Sequence, residues 1–112
     1  MKWSQERKWI IATSLVGSFE SGSARLLIVL GADISLVASE NKKGEMRLST
    51  RASNRIVSDG FNLTKVLEKV EIVNGGSAGG HPGAAGYNGK GDAEAITEIA
   101  KQECISMIRE LS

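Results

Sequence analysis

The residues most suited to ligand binding or catalysis lie in one glycine-rich stretch, residues 75–86. It holds six of the 13 glycines of the chain, together with the only histidine and the only proline. Glycine lets a ligand approach the backbone closely, and successive N–H groups that point the same way bind anions. The imidazole of His81 adds a group that can act as an acid or a hydrogen-bond donor. The stretch therefore indicates a site for phosphate or another anion.

A second group of candidates lies in the segment Glu45–Ala52, which alternates as a β-strand does. Because side chains alternate between the two faces of a strand, one face is predicted to carry Met46, Leu48, Thr50 and Ala52. The opposite face is predicted to carry Glu45, Arg47, Ser49, Arg51 and Ser53. The planar guanidinium of Arg51 suits phosphate better than a lysine would. The alternative for Arg51 is an exposed side chain on an edge strand. Arg47 and Ser53 are weaker candidates on the same face.

The eight residues Gly79-Gly80-His81-Pro82-Gly83-Ala84-Ala85-Gly86 resemble the GGHPxAAG signature of the DHH-associated domain. This is the C-terminal substrate-binding domain of DHH-family phosphoesterases, which include RecJ-like single-strand exonucleases and small-oligonucleotide phosphodiesterases. The resemblance is strongest over residues 25–111. One departure is Ala78, where relatives often carry glycine.

The resemblance implies which residues meet the substrate. It implies that His81 and the neighbouring glycines contact it near the scissile phosphate, and that Arg51 in the Ser-x-Arg segment 49–51 holds a phosphate or a base. Proline restricts the backbone on both sides of its ring, so Pro82 is expected to fix His81 in an extended conformation. We further expect the backbone N–H groups of the three nearest glycines to meet phosphate oxygens. The candidate binding residues are Ser49, Arg51, Gly79, Gly80, His81, Pro82 and Gly83.

Catalysis is not expected from this chain alone. One histidine, one cysteine and scattered aspartates provide no set of three or four metal ligands at suitable spacing, and there is no DHH tripeptide. Cys104 lies on an apolar helical stripe and is expected in the core. A divalent metal such as Mn is therefore expected only in a separate, missing catalytic domain, and no cofactor is expected here.

Composition predicts a single domain spanning residues 1–112, because 112 residues with 41% apolar content support one core. A net charge of +1 argues against binding nucleic acid through overall basicity. Aromatic residues make up only 4%, so any nucleic-acid contact should rely on phosphates more than on stacked bases. No apolar run reaches the length of a membrane span, and the charged N-terminus does not read as a signal peptide. These features predict a cytoplasmic protein without a membrane partner.

The elements that must position these residues can be read from periodicity and caps. Strands are predicted at 9–16, 34–39, 45–52 and 84–88, and the second and third form an antiparallel hairpin. Helices are predicted at about 21–30, where the helix should be buried on most sides, at 62–74 with Asn62 as its cap, and after Asp92 to the C-terminus. The expected fold is α/β (α+β), a mixed sheet packed by about three helices, with residues 75–83 as a loop.

The interpretation that follows is a phosphate-binding domain for single-stranded nucleic acid, an oligonucleotide or a nucleotide. It would present this substrate to a DHH catalytic domain on the same chain or on another one. Two alternatives stay open. The exposed edge of the predicted hairpin could join two copies into a homodimer, or the chain could bind tRNA, since editing domains of alanyl-tRNA synthetases carry a similar glycine-rich module.

Overall fold

The computed structural model describes residues 1–17 and 20–111 of the chain. Its elements are β1 (Lys2–Glu6), β2 (Trp9–Leu15), α1 (Glu20–Val29), β3 (Ile34–Glu40), β4 (Glu45–Ala52), α2 (Asn54–Ser58), α3 (Leu63–Asn74), β5 (Ser77–His81), β6 (Ala84–Lys90) and α4 (Ala93–Glu110). The six strands form one sheet in the order β1-β2-β3-β4-β6-β5. Strands β2 and β3 run parallel, and every other neighbouring pair is antiparallel. The predicted mixed sheet with an antiparallel hairpin is confirmed.

Helices α3 and α4 pack side by side on one face of the sheet and enclose the main core. Both begin where the sequence predicts. The Asn62 side chain accepts a hydrogen bond from the Thr64 N–H at 2.9 Å, and the Asp92 carboxylate accepts one from the Ala95 N–H at 3.1 Å. Such caps satisfy N–H groups that have no partner inside the helix. The apolar stripe of α4 then covers β2, β3 and β4.

Helix α1 lies on the other face, across β3 and β4. The hydroxyl of Ser35 on β3 donates to the Ala24 carbonyl of the helix at 2.7 Å, next to a small apolar cluster. The prediction that this helix is buried on most sides is wrong. Leu26, Val29 and Leu30 are 55%, 77% and 60% exposed, because the sheet covers only one side of the helix.

Four further features differ from the sequence predictions. Strand β1 and the short helix α2 were not predicted, and residues 77–81 form an edge strand rather than a loop. The β3–β4 hairpin lies inside the sheet, with β2 on one side and β6 on the other. Its edge therefore cannot join two copies, and the open edges of the sheet belong to β1 and β5. Among the described residues no helix is long and apolar enough to cross a membrane.

Candidate functional site

The pairing of β4, β6 and β5 places the candidate residues on one surface. Directly opposed residues of neighbouring strands point to the same side of a sheet. The pairing thus produces three rows that cross the three strands, on the side away from α3 and α4. The rows are Arg51–Ala84–His81, Ser49–Gly86–Gly79 and Arg47–Asn88–Ser77. We call this surface the bare face.

The first row brings together two residues that lie 30 positions apart in the sequence. Arg51 and His81 are separated by two strand spacings, about 10 Å, and only the methyl group of Ala84 stands between them. His81 is exposed and Arg51 is half-buried. Within residues 1–17 and 20–111, no hydrogen bond or ion pair engages either side chain. Both are therefore available to one anion placed above Ala84.

The second row is the floor of the bare face. An added Cβ at Gly79 would meet nothing within 4 Å, and one at Gly86 would meet only the Leu48 carbonyl oxygen at 3.7 Å. Neither glycine has a positive φ angle. The fold therefore needs glycine at neither position, whereas a ligand resting on the backbone would need both. Ser49, also half-buried, adds one hydroxyl to this row.

The expected cluster of glycine N–H groups is only partly present. In a β-strand, successive N–H groups point to opposite edges and not to a common point. The Ala78 N–H points outward from the sheet and donates to the Glu71 carboxylate at 2.7 Å. By this alternation the Gly80 N–H also faces the open edge, while the Gly79 N–H faces β6. Of these two strand glycines, only Gly80 has an amide that faces the open edge.

The turn after His81 is held by its neighbours. The Pro82 carbonyl accepts a hydrogen bond from the Leu63 N–H at 3.1 Å, at the start of α3, and the Gly83 carbonyl accepts one from the Ala52 N–H at 3.0 Å. These bonds fix the hairpin end against both β4 and α3. The position of His81 relative to Arg51 is thereby set by the backbone, while direct ligand contact by Pro82 and Gly83 stays a prediction.

A buried carboxylate, that of Asp33, supports the same end of the sheet. This role was not predicted from the sequence. Asp33, only 2% exposed, accepts hydrogen bonds from the Ile10 N–H at 2.9 Å and from the Ser53 hydroxyl at 3.3 Å. It also forms an ion pair with Arg55 at 2.9 Å. Because Ser53 caps α2 directly after β4, this network holds the backbone next to Arg51. The detectable signal was an acidic residue directly before the mostly apolar strand that begins at Ile34.

The residues present do not fit a metal centre. In the described part of the chain, no three histidine, cysteine, aspartate or glutamate side chains are grouped to hold an ion. Cys104 is fully buried in the core, as predicted. Burial, with a smaller contribution from the neighbouring Glu103, raises the pKa of the Cys104 thiol far above its ordinary value. The thiol therefore stays protonated and cannot act as a nucleophile.

A cavity lies at the opposite end of the bare face from His81. Its volume is about 830 Å³, and the third row contributes Arg47 and Asn88 to its wall, joined by a hydrogen bond of 3.1 Å from Arg47 Nε to Asn88 Oδ1. Asn74 and Lys90 line it as well. No sequence pattern had indicated this cavity, since its residues come from the ends of four separate elements.

Comparison with known proteins shows the family to which the chain belongs. The model of the DHHA1 domain family matches residues 11–108. An uncharacterized protein of Methanocaldococcus jannaschii, MJ0988, is 35% identical over 98 residues, which is 87% of this chain. The chain spans only 30% of the length of that relative.

Two solved structures share the fold. The C-Ala domain of alanyl-tRNA synthetase from Aquifex aeolicus superposes with a TM-score of 0.73 at 21% identity, over 95% of this chain and 99% of that domain. RecJ from Thermus thermophilus, solved in complex with Mg²⁺, superposes with a TM-score of 0.63 at 15% identity, over 91% of this chain and 15% of RecJ. At these identities the likeness concerns the fold alone.

Proposed function

Because this chain belongs to the DHHA1 domain family, which is associated with DHH-family phosphoesterases, we propose that its bare face binds the phosphate backbone of a single-stranded nucleic acid or oligonucleotide. The bound strand would be positioned for a catalytic domain that carries the divalent metal, such as Mn. The relative from M. jannaschii is more than three times as long as the matched segment, which leaves room for such a domain. In the present chain that domain would act in cis or in trans.

The observation that carries this proposal is the pair Gly79 and Gly86. A glycine inside a strand weakens it, and where φ is ordinary and space is free, the fold gains nothing from the missing side chain. Glycine in strands often marks close approach of a ligand to the backbone. Here the two glycines adjoin the row that holds Arg51 and His81. A bare floor beside two unpaired nitrogen-bearing side chains suits a flat, negatively charged ligand.

Four of the remaining candidates have a defined part in the proposal. Arg51 supplies a fixed positive charge and a fork of donors for phosphate oxygens. His81 supplies a second donor from the other side of Ala84. Ser49 and the outward N–H of Gly80 add neutral donors, one on the floor and one at the open edge. Five aromatic residues in 112 leave little surface for base stacking, so the contact is electrostatic and should weaken with salt.

The experiment that tests this function is titration of a labelled single-stranded oligonucleotide at two salt concentrations. Arg51→Gln and His81→Ala should weaken binding, and loss of the arginine contact should flatten the slope of log K against log salt by about 0.7. Gly79→Val should also weaken binding, because its side chain would rise from the floor while remaining well suited to a strand.

Lys65→Gln is the matched control for charge. Lys65 is exposed on α3, which packs on the opposite face of the sheet, so its loss should leave binding at parental strength. A far-ultraviolet circular dichroism spectrum of each variant would establish that the sheet is intact. If the three bare-face variants bind the oligonucleotide as Lys65→Gln does, this face is not the binding site.

A structured RNA such as tRNA is a second candidate ligand. The similarity that favours it is the C-Ala domain of an alanyl-tRNA synthetase, which this chain matches over almost its whole length. Competition between folded tRNA and an unstructured strand of equal length would separate the two ligands. Preference for the folded RNA would support this alternative over single-strand binding.

A further inference from the structure

We propose that the cavity at the far end of the bare face is a nucleobase pocket, which receives one base of a strand whose phosphate is held between Arg51 and His81. The inference rests on the proposed function, because it places the second contact of the same ligand. It adds a subsite formed by side chains outside the glycine-rich signature that first pointed to phosphate.

The position of the cavity relative to the first row supports one continuous ligand. Arg47 and Arg51 lie four residues apart on β4, about 13 Å at a rise of roughly 3.3 Å per residue. Between their rows lies the row of Ser49, Gly86 and Gly79, in which only Ser49 on β4 carries a side chain. On β5 and β6 no side chain of this row would block a path along the strands. One phosphate group cannot span both ends. The occupant of the cavity would therefore be another part of the bound strand.

The hydrogen-bonding groups of the cavity select a base over a second phosphate. The Asn88 side chain uses Oδ1 to accept from Arg47, and the Asn74 side chain uses Nδ2 to donate to the Tyr87 hydroxyl and the Lys90 carbonyl. Within the described chain this leaves Nδ2 of Asn88 as a donor and Oδ1 of Asn74 as an acceptor without protein partners. Both asparagines line the cavity, which thus offers a donor as well as an acceptor to the edge of a nucleobase. A phosphate presents acceptors alone.

The charges around the cavity point the same way. Two carboxylates, Glu40 and Glu45, line it together with the cations Arg47 and Lys90. Both acids are held by protein contacts, Glu40 by the Ala93 N–H at 3.1 Å and Glu45 by the Asn41 amide at 3.0 Å. Their negative charge offsets the two cations. A neutral, polar base is accommodated in such surroundings more readily than an anion.

An abasic scan would test the pocket. The probe is a 5′-phosphorylated thymidine trinucleotide, compared with three versions in which one base at a time is replaced by an abasic residue. Phosphates are then constant, and only base contacts change. We expect one position to lose about tenfold in affinity when its base is absent, as for a base contact of roughly 1.4 kcal/mol. The other two positions should lose much less.

Asn88→Asp shows whether that base enters the cavity. This variant keeps the acceptor for Arg47 and replaces the free donor by an acceptor, so the sensitive position should become insensitive to loss of its base. Gln102→Glu on α4 makes the same amide-to-carboxylate change at an exposed site and should preserve the parental pattern. Equal affinity for all four probes, or a base effect that persists in Asn88→Asp, would overturn the pocket. Failure of the parent chain to bind any probe would instead count against the proposed function.

Discussion

The two sides of the β4–β6 strand pair differ in the residues they carry and in how far these are buried. On the side of α3 and α4 the alternating residues Met46, Leu48, Thr50, Ala85 and Tyr87 are all buried. On the other side, the bare face carries arginines, a serine, an asparagine, an alanine and a glycine from the same two strands. One backbone thus supports a surface packed by α3 and α4 and a more open one, on which α1 contacts β4. Packing explains each residue of the first, and it explains few of the second.

Two adjacent glycines of β5, Gly79 and Gly80, show a similar contrast. Gly80 has a φ angle of +139°, and a Cβ there would lie 2.5 Å from the Ala84 carbonyl oxygen and from the Ala85 Cα. The fold therefore requires glycine at that position. Gly79, its neighbour, has free space and an ordinary φ angle. The fold thus constrains one of two adjacent glycines and leaves the other unconstrained, which a count of glycines cannot reveal.

The largest expected difference between the two sides is in stability. Leu48→Ala should lower the free energy of unfolding by about 3 kcal/mol, because it removes a side chain that is 2% exposed and leaves a cavity in the core. Ser49→Ala, one residue away on the bare face, should change that free energy by less than about 0.5 kcal/mol. Urea unfolding followed by tryptophan fluorescence measures both. Comparable losses in the two variants would mean that the bare face also contributes to packing.

A second prediction concerns the buried polar group below the Arg51 end of the bare face. Asp33→Ala should lower the free energy of unfolding by about 2–3 kcal/mol, since it leaves the part-buried Ile10 N–H without its side-chain acceptor and removes the Ser53 contact. Arg55→Ala should cost less than about 1 kcal/mol, because the Arg55 side chain is 77% exposed and solvent screens its charge. The same unfolding measurement separates them. Equal losses would show that the ion pair, and not the bond to the Ile10 N–H, stabilises this end.

The sequence predicted those elements whose signals are local. The stripe of α4, the cap at Asn62 and the alternation of 45–52 each depend on residues within a few turns of one another, and the structure confirms all three. Strand β5 has no such signal, because Ser77–His81 contains no apolar alternation. It becomes a strand through pairing with β6 and through the bond from its Ala78 amide to Glu71. Those contacts are tertiary and cannot be read from five small residues.

The candidate residues could be named from the sequence, whereas their geometry could not. Resemblance to the DHH-associated signature implied His81 and Arg51 separately, yet their common row depends on the register of β6 between them. Because residues 77–81 pair with β6 as a strand, the N–H groups of the glycines alternate in direction and do not form the expected cluster. The Asn74 and Asn88 cavity had no sequence signal, because it forms where the ends of α3, β3, β4 and β6 meet.

A smaller stability effect is expected at Tyr87, which is buried next to the floor residue Gly86. Its hydroxyl donates to the Gly75 carbonyl at 2.6 Å and accepts from the Asn74 side chain at 2.8 Å. Tyr87→Phe should therefore lower the free energy of unfolding by about 1–2 kcal/mol. Thermal unfolding by circular dichroism would detect the loss. An unchanged midpoint would mean that water replaces both bonds without cost.

The smallest stability effect is expected on the floor itself, where it gives the sharpest separation between fold and ligand. Gly79→Ala and Gly86→Ala should each change the free energy of unfolding by less than about 0.5 kcal/mol, or raise it slightly, because alanine fits both sites and restricts the unfolded chain. Gly80→Ala, the control, should cost more than about 1 kcal/mol through its positive φ angle and its contact with β6. Oligonucleotide binding should nevertheless weaken in all three variants. Unimpaired binding by Gly79→Ala and Gly86→Ala would show that the ligand does not rest on the backbone of β5 and β6. The presence of glycine at these two positions would then need another explanation.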